Sequence, residues 1–120
     1  MKESLVYNKA FKFSVSIVEL YKYLSQEKRE YVLSKQLLRS GTSIGANIRE
    51  SLFSQSKRDF LWKMNISLKE CSETLYWLEL LTATNYIDIS KYEFLIENCT
   101  ELNKMLVAIV KTTKKQLNIS

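Results

Sequence analysis

The sequence has 120 residues, 46% of them hydrophobic, with 18 Lys and Arg against 13 Asp and Glu, no histidine and a net charge of +5. That length holds one domain with one core, and that apolar content argues against disorder. No run approaches the ~20 apolar residues of a membrane span, and without histidine neither His-based acid–base catalysis nor a His-liganded metal site can be built.

The elements read as four helices in chain order. The first, from about Ser4 to Leu24, carries Val6, Ala10, Phe13, Ile17, Leu20 and Leu24 at alternating spacings of four and three, the period of a helix and not of a strand. Ser4 is its expected N-cap. Ser25 to Lys28 is a polar connection. The second, from about Arg29 to Phe53, keeps Leu33, Leu37, Gly41, Ile44, Ile48 and Leu52 in helical phase through both glycines of the chain. After a turn at Ser54-Gln55-Ser56, capped by Ser56 with Asp59 in the first turn, the third runs from about Lys57 to Thr84. Its stripe is Leu61, Met64, Leu68, Cys71, Leu75 and Leu78, and Phe60, Trp62, Tyr76, Trp77 and Leu81 widen its apolar surface beyond one face. Asn85 to Asp88 breaks the pattern. Ser90 reads as the N-cap of the fourth helix, with Glu93 at the capping-box position, and the stripe Tyr92, Leu95, Cys99, Leu102, Leu106, Ile109 and Thr113 carries that helix to about Lys115. Four long helices with short connections imply an all-α, antiparallel up-down-up-down four-helix bundle, one domain over residues 1–120.

The excess charge lies in the first half of the chain: +2 over residues 1–24, +2 over 25–54, zero over 55–87 and +1 over 88–120, with a small cluster at Lys111, Lys114 and Lys115. Cys71 and Cys99 lie on apolar stripes and read as small buried hydrophobes; a disulfide is not expected in a reducing compartment. The start of the chain lacks a signal peptide's apolar core and carries Glu3, so a cytoplasmic location is expected.

The stretch Arg39 to Ile48 is the best candidate for chemistry. As a phosphate loop it fails: a P-loop needs G-x-x-x-x-G-K-[ST] after a strand, whereas here Gly41 and Gly45 are four apart, Ala46 and Asn47 follow, and no strand precedes. The preferred reading is close helix packing through Ser40, Gly41, Ile44, Gly45 and Ile48. A helical Gly41 with room for one methyl would make Gly41→Ala neutral or mildly stabilising. The carboxylates lack the Glu-x-x-His pairs of a di-metal bundle; Asn47, Glu50, Lys63, Lys69, Glu70 and Glu73 read instead as a polar network, with Lys69 and Glu73 paired at i,i+4 and Glu70 and Glu73 reaching basic residues of another helix or subunit. Trp77, Tyr76, Tyr86, Tyr92 and Phe94 could stack on bases, though aromatics at helical spacing more often fill a core or an interface. An exposed Trp62 would mark an interface. The turn at Ser54 joins Arg49 to Lys57 and Arg58, the best candidate contact with nucleic acid.

The run Ser34-Lys35-Gln36-Leu37-Leu38-Arg39-Ser40-Gly41-Thr42-Ser43-Ile44-Gly45-Ala46-Asn47-Ile48 with Glu50 resembles the signature of the bacterial four helix bundle protein family, also called the 23S rRNA intervening-sequence or S23 family. Ser56-Lys57-x-Asp59-Phe60, Lys63-Met64-x-Ile66-Ser67-Leu68-Lys69-Glu70-Cys71 and Glu73-Thr74-x-Tyr76-Trp77-Leu78 extend the resemblance, which covers about residues 5–115 and is specific over 34–81. The family pattern usually has Ala where Ser67 and Cys71 stand, and often an acidic or small residue where Arg49 stands. The resemblance implies an antiparallel four-helix bundle that assembles as a homopentameric ring, with no established enzymatic activity; the residues themselves give no cofactor site to expect. Some members are encoded within insertions in 23S rRNA genes, and a related bundle protein beside a retroelement reverse transcriptase binds nucleic acid through a basic surface.

These readings lead to a non-enzymatic oligomer that binds RNA or DNA, or a ribonucleoprotein, through basic residues summed over the ring; five copies at +5 each carry about +25. The alternative is a protein-binding scaffold whose polar helix face or ring opening holds a peptide or protein. Neither a membrane nor a small-molecule substrate is expected.

Overall fold

In the computed structural model, which describes residues 4–119, each helix begins where a side chain satisfies its first free N–H groups. Ser4 Oγ accepts from Tyr7 N at 3.1 Å and opens α1, Leu5–Gln26; Ser56 Oγ accepts from Asp59 N at 3.1 Å and opens α3, Lys57–Ala83. Between them lies α2, Leu33–Ser51, and after them α4, Ile89–Gln116.

Two starts differ from the sequence reading. Helix α2 begins at Leu33 and not near Arg29, because Arg29 adopts a left-handed backbone (φ 52°) that closes α1, with Glu30 N donating to Leu24 O at 2.9 Å. The Glu30 carboxylate then turns inward and accepts from the N–H groups of Val32, Leu33 and Ser34 at 3.2, 3.0 and 2.7 Å. Burial raises this carboxyl's pKa, but the backbone donors of Ser34, Leu33 and Val32 outweigh it and hold the group below its ordinary range. Helix α4 is capped by Asp88, not Ser90: Asp88 Oδ1 accepts from both Ser90 N and Ser90 Oγ, and Glu93 takes no part in the cap. Asp is the stronger acceptor, and its charge suits a helix N-terminus. Asn85 (φ 67°) and Asn118 (φ 56°) supply the left-handed residues that end α3 and α4.

The helices alternate in direction around one core, α1 against α2, α2 against α3, α3 against α4, with α1 and α4 meeting least closely. The stripe of α1 is buried as its periodicity requires. On α3 and α4 the core takes a different set from the apolar stripe: Ser67, Thr74 and Leu81 are buried on α3 while Leu68 and Leu75 are only half-buried, and Val110 replaces Ile109 on α4. The molecule is elongated, 47 × 26 × 22 Å. Among the described residues no helix is long and apolar enough to cross a membrane.

Candidate functional site

The small-residue stretch lies in the middle of α2 with every glycine at negative φ, so it is helix and not loop. Ser40, Gly41, Ile44, Gly45 and Ile48 are all buried, and they serve two seams. Toward α1, the space where a Gly41 Cβ would stand is taken: it would meet Ile17 Cγ2 at 2.8 Å and Cγ1 at 2.9 Å. Room for one methyl is therefore absent at Gly41, which corrects the expectation that alanine is neutral there. Gly45 does have that room, its nearest neighbours being Ser14 Oγ at 3.5 Å and the Ala10 backbone at 3.6 Å. Toward α3, the seam is lined with hydroxyls. Ser67 Oγ donates to Ile44 O at 2.8 Å, Thr74 Oγ1 to Ser40 Oγ at 3.0 Å, and Ser51 Oγ to its own helix at Ile48 O. A buried hydroxyl is tolerated only with a partner. Ser67 is thus an interhelical tie as well as a small side chain.

The polar network forms around Arg39, a residue that the sequence reading does not include in it. Its guanidinium donates to Glu70 at 3.1 Å and Glu73 at 2.6 Å, tying α2 to α3. Trp77 Nε1 also donates to Glu73, and this bond, with Arg39, lowers the pKa of that carboxyl against the effect of burial. Glu73 is thereby committed to Arg39 and Trp77, and Lys69 stands exposed on α3 without the i,i+4 partner expected for it. Lys63 pairs with Glu50 across the same seam at 2.8 Å, and Asn47 Nδ2 donates within α2 to Ser43 O. With the carboxylates so engaged, no group of three or more metal-ligating side chains gathers among the described residues.

Cys71 and Cys99 face each other across α3 and α4 with their sulfurs 3.6 Å apart, both buried. The contact with Cys71 and burial together push the Cys99 thiol far above its ordinary range, so it holds its proton and packs as a small hydrophobe.

Of the three candidate cations, Lys57 and Arg58 stand exposed on the first turn of α3. Arg49, one residue before Glu50, points to the other side of α2, where its guanidinium donates to Tyr7 Oη of α1 at 3.2 Å. It borders a shallow groove of about 320 Å³ lined by Tyr7, Phe11, Ser14, Thr42 and Gly45. None of the three forms an ion pair among the described residues, in contrast with Lys9, Arg39 and Lys63. The aromatic candidates divide. Trp77, Tyr86 and Tyr92 are half-buried, Tyr76 stands edge-on to Trp77, and Phe94 is exposed on the first turns of α4. Trp62 is 63% exposed.

Residues 2–108 match the family described as 23S rRNA-intervening sequence protein. The chain belongs to that family. A crystal structure of a Bacteroides thetaiotaomicron VPI-5482 protein, described as of unknown function and from the S23 ribosomal protein family, is similar at 55% identity over 89% of this chain and 99% of that one, with a TM-score of 0.88. No curated protein matches the chain. Membership in the 23S rRNA-intervening sequence protein family carries the four-helix architecture and leaves the activity open.

Proposed function

We propose that this family member is a non-enzymatic oligomer of the cytoplasm, a pentamer by the resemblance, that binds nucleic acid or a ribonucleoprotein through a repeated basic surface. The observation that supports it most is that Arg49, Lys57 and Arg58 flank one connection, α2 to α3, as exposed cations without a carboxylate partner among the described residues. Unmatched cations draw phosphates without first giving up a carboxylate. Oligomerisation is supported by α3, where Trp62 and Tyr76 stand exposed near one face, fourteen residues or about four turns apart.

The groove between α1 and α2 supports a second reading, a scaffold for a protein partner, because Phe11 and Tyr7 present apolar surface there beside Arg49. A filter-binding titration of labelled RNA at rising salt separates the two. Nucleic-acid binding gives retention that falls steeply with salt, by about 0.7 log units per contact on single strands, and a shallower fall when Arg49, Lys57 and Arg58 are all replaced by Gln. No retention at low salt contradicts the proposal and leaves the scaffold.

A further inference from the structure

The antiparallel topology sorts charge along the bundle in a way that the chain order hides. The starts of α1 and α3 and the finishes of α2 and α4 share one end. When each helix is cut at its midpoint, and Glu70 at the centre of α3 is counted with the half that holds its partner Arg39, the half of the described molecule at that shared end holds eleven Lys and Arg against two carboxylates, a net +9, and the opposite half six against ten, a net −4. Lys2 and Glu3, outside the described residues, cancel. Helix dipoles do not produce this split, since each end has two helix N-termini and two C-termini. The molecule is 47 Å long, several times the ~10 Å screening length at 0.1 M salt, so a polyanion at the basic end is insulated from the acidic end.

The tip of the basic end also holds an aromatic ring without a structural task. Phe53, in the turn after α2, is 70% exposed, and only its backbone is anchored, by Phe53 N donating to Glu50 O at 3.1 Å. It lies in sequence between Arg49 and Lys57-Arg58. The last turn of α4 brings Lys114 and Lys115 to the same end, with Lys111 one turn before. A free ring among unpaired cations suits unstacked bases: every base has a π face, and only in a single strand is that face available. A duplex would meet the lysines but not the ring.

We infer that this end of the bundle docks single-stranded nucleic acid, with Lys111, Lys114 and Lys115 extending the phosphate-binding surface of Arg49, Lys57 and Arg58 and with Phe53 stacking on a base. The inference rests on the nucleic-acid reading above and assigns it a place and a strandedness. The acidic half of a second copy is the rival occupant, but its −4 would leave most of the +9 unmatched.

Anisotropy titrations over a range of salt, with a short unstructured RNA, the same sequence as single-stranded DNA, and the corresponding duplex, test it. Three proteins are compared with wild type: Lys111→Gln with Lys114→Gln and Lys115→Gln; Lys22→Gln with Lys28→Gln and Lys35→Gln, three exposed cations of the opposite half; and Phe53→Ala. The first is expected to flatten the log–log salt slope by about 2, three contacts at ~0.7 each, and the second to leave it unchanged. Phe53→Ala is expected to weaken single-strand binding about 5- to 150-fold with the salt slope and the oligomer mass intact. RNA and DNA single strands should bind alike at these contacts. Equal losses from both lysine sets overturn the end assignment, and a duplex bound as well as the single strands overturns the strandedness, while the broader reading stands. A changed mass for Phe53→Ala makes the ring an interface residue and overturns the stacking. Wild-type protein that ignores all three probes, or that grows in mass at low salt without binding them, overturns both readings.

Discussion

A methyl group on Gly41 would press on Ile17 at 2.8 Å, and Ile17 is fully buried and branched at Cβ, so it has no slack direction in which to move. Gly41→Ala is therefore expected to destabilise by about 1–3 kcal/mol, the usual cost of overpacking. Gly45→Ala, with ordinary van der Waals room, is expected to gain about 0.4–1 kcal/mol from reduced unfolded-state freedom. Thermal melts of the two variants check both signs, and a Gly41→Ala that melts at or above the wild-type temperature would contradict the geometry. Glu30 is the second decisive residue. Three N–H groups at the start of α2 depend on its carboxylate, so Glu30→Ala should cost about 1–2 kcal/mol at neutral pH. Its folded pKa lies below the unfolded one. Its contribution is thus complete above the ordinary carboxylate range and is lost as pH falls through the folded value. Melts of wild type and Glu30→Ala should converge as pH falls below the ordinary carboxylate range.

At the scale of elements, apolar periodicity located all four helices, because each stripe repeats over five or more turns. It misjudged what lies against α2. Ser67 and Thr74 occupy core positions that an apolar count passes over: Ser67 qualifies because Ile44 O stands within reach across the seam, and Thr74 because its hydroxyl reaches Glu70 O of its own helix at 2.7 Å as well as Ser40 Oγ. The start of α2 was misread for a related reason. A glutamate that caps three positions downstream, and an arginine in a left-handed conformation, both contradict residue preference. The family motif was legible in Arg39 to Ile48, but Arg39's role as the hub for Glu70 and Glu73 was not, since its partners lie more than thirty residues away. The outward face of α3 makes a prediction of its own. A Trp that is 63% exposed costs solubility unless something covers it. Trp62→Arg is expected to shift the mass measured by light scattering toward the single chain without lowering helix content. A wild-type mass of one chain would contradict the oligomer, and an oligomeric mass unchanged by the substitution would place its contact on another face.

For the whole molecule, function was the least legible part because segment totals of +2, +2, zero and +1 conceal a gradient that reverses from helix to helix. Folding the chain up and down brings the basic ends together: Lys57 and Arg58 begin α3 where Arg49 and Lys115 finish α2 and α4. In a cyclic oligomer with the helices along its axis, symmetry places every basic end on the same side, so the contacts multiply on one surface. Lysine acetylation, read residue by residue with and without a bound single-stranded RNA, tests this arrangement most directly. Protection is expected at Lys57, Lys111, Lys114 and Lys115, with Lys22, Lys28 and Lys35 modified as in the free protein. Protection shared evenly by the two ends, or confined to Lys22, Lys28 and Lys35, would contradict it.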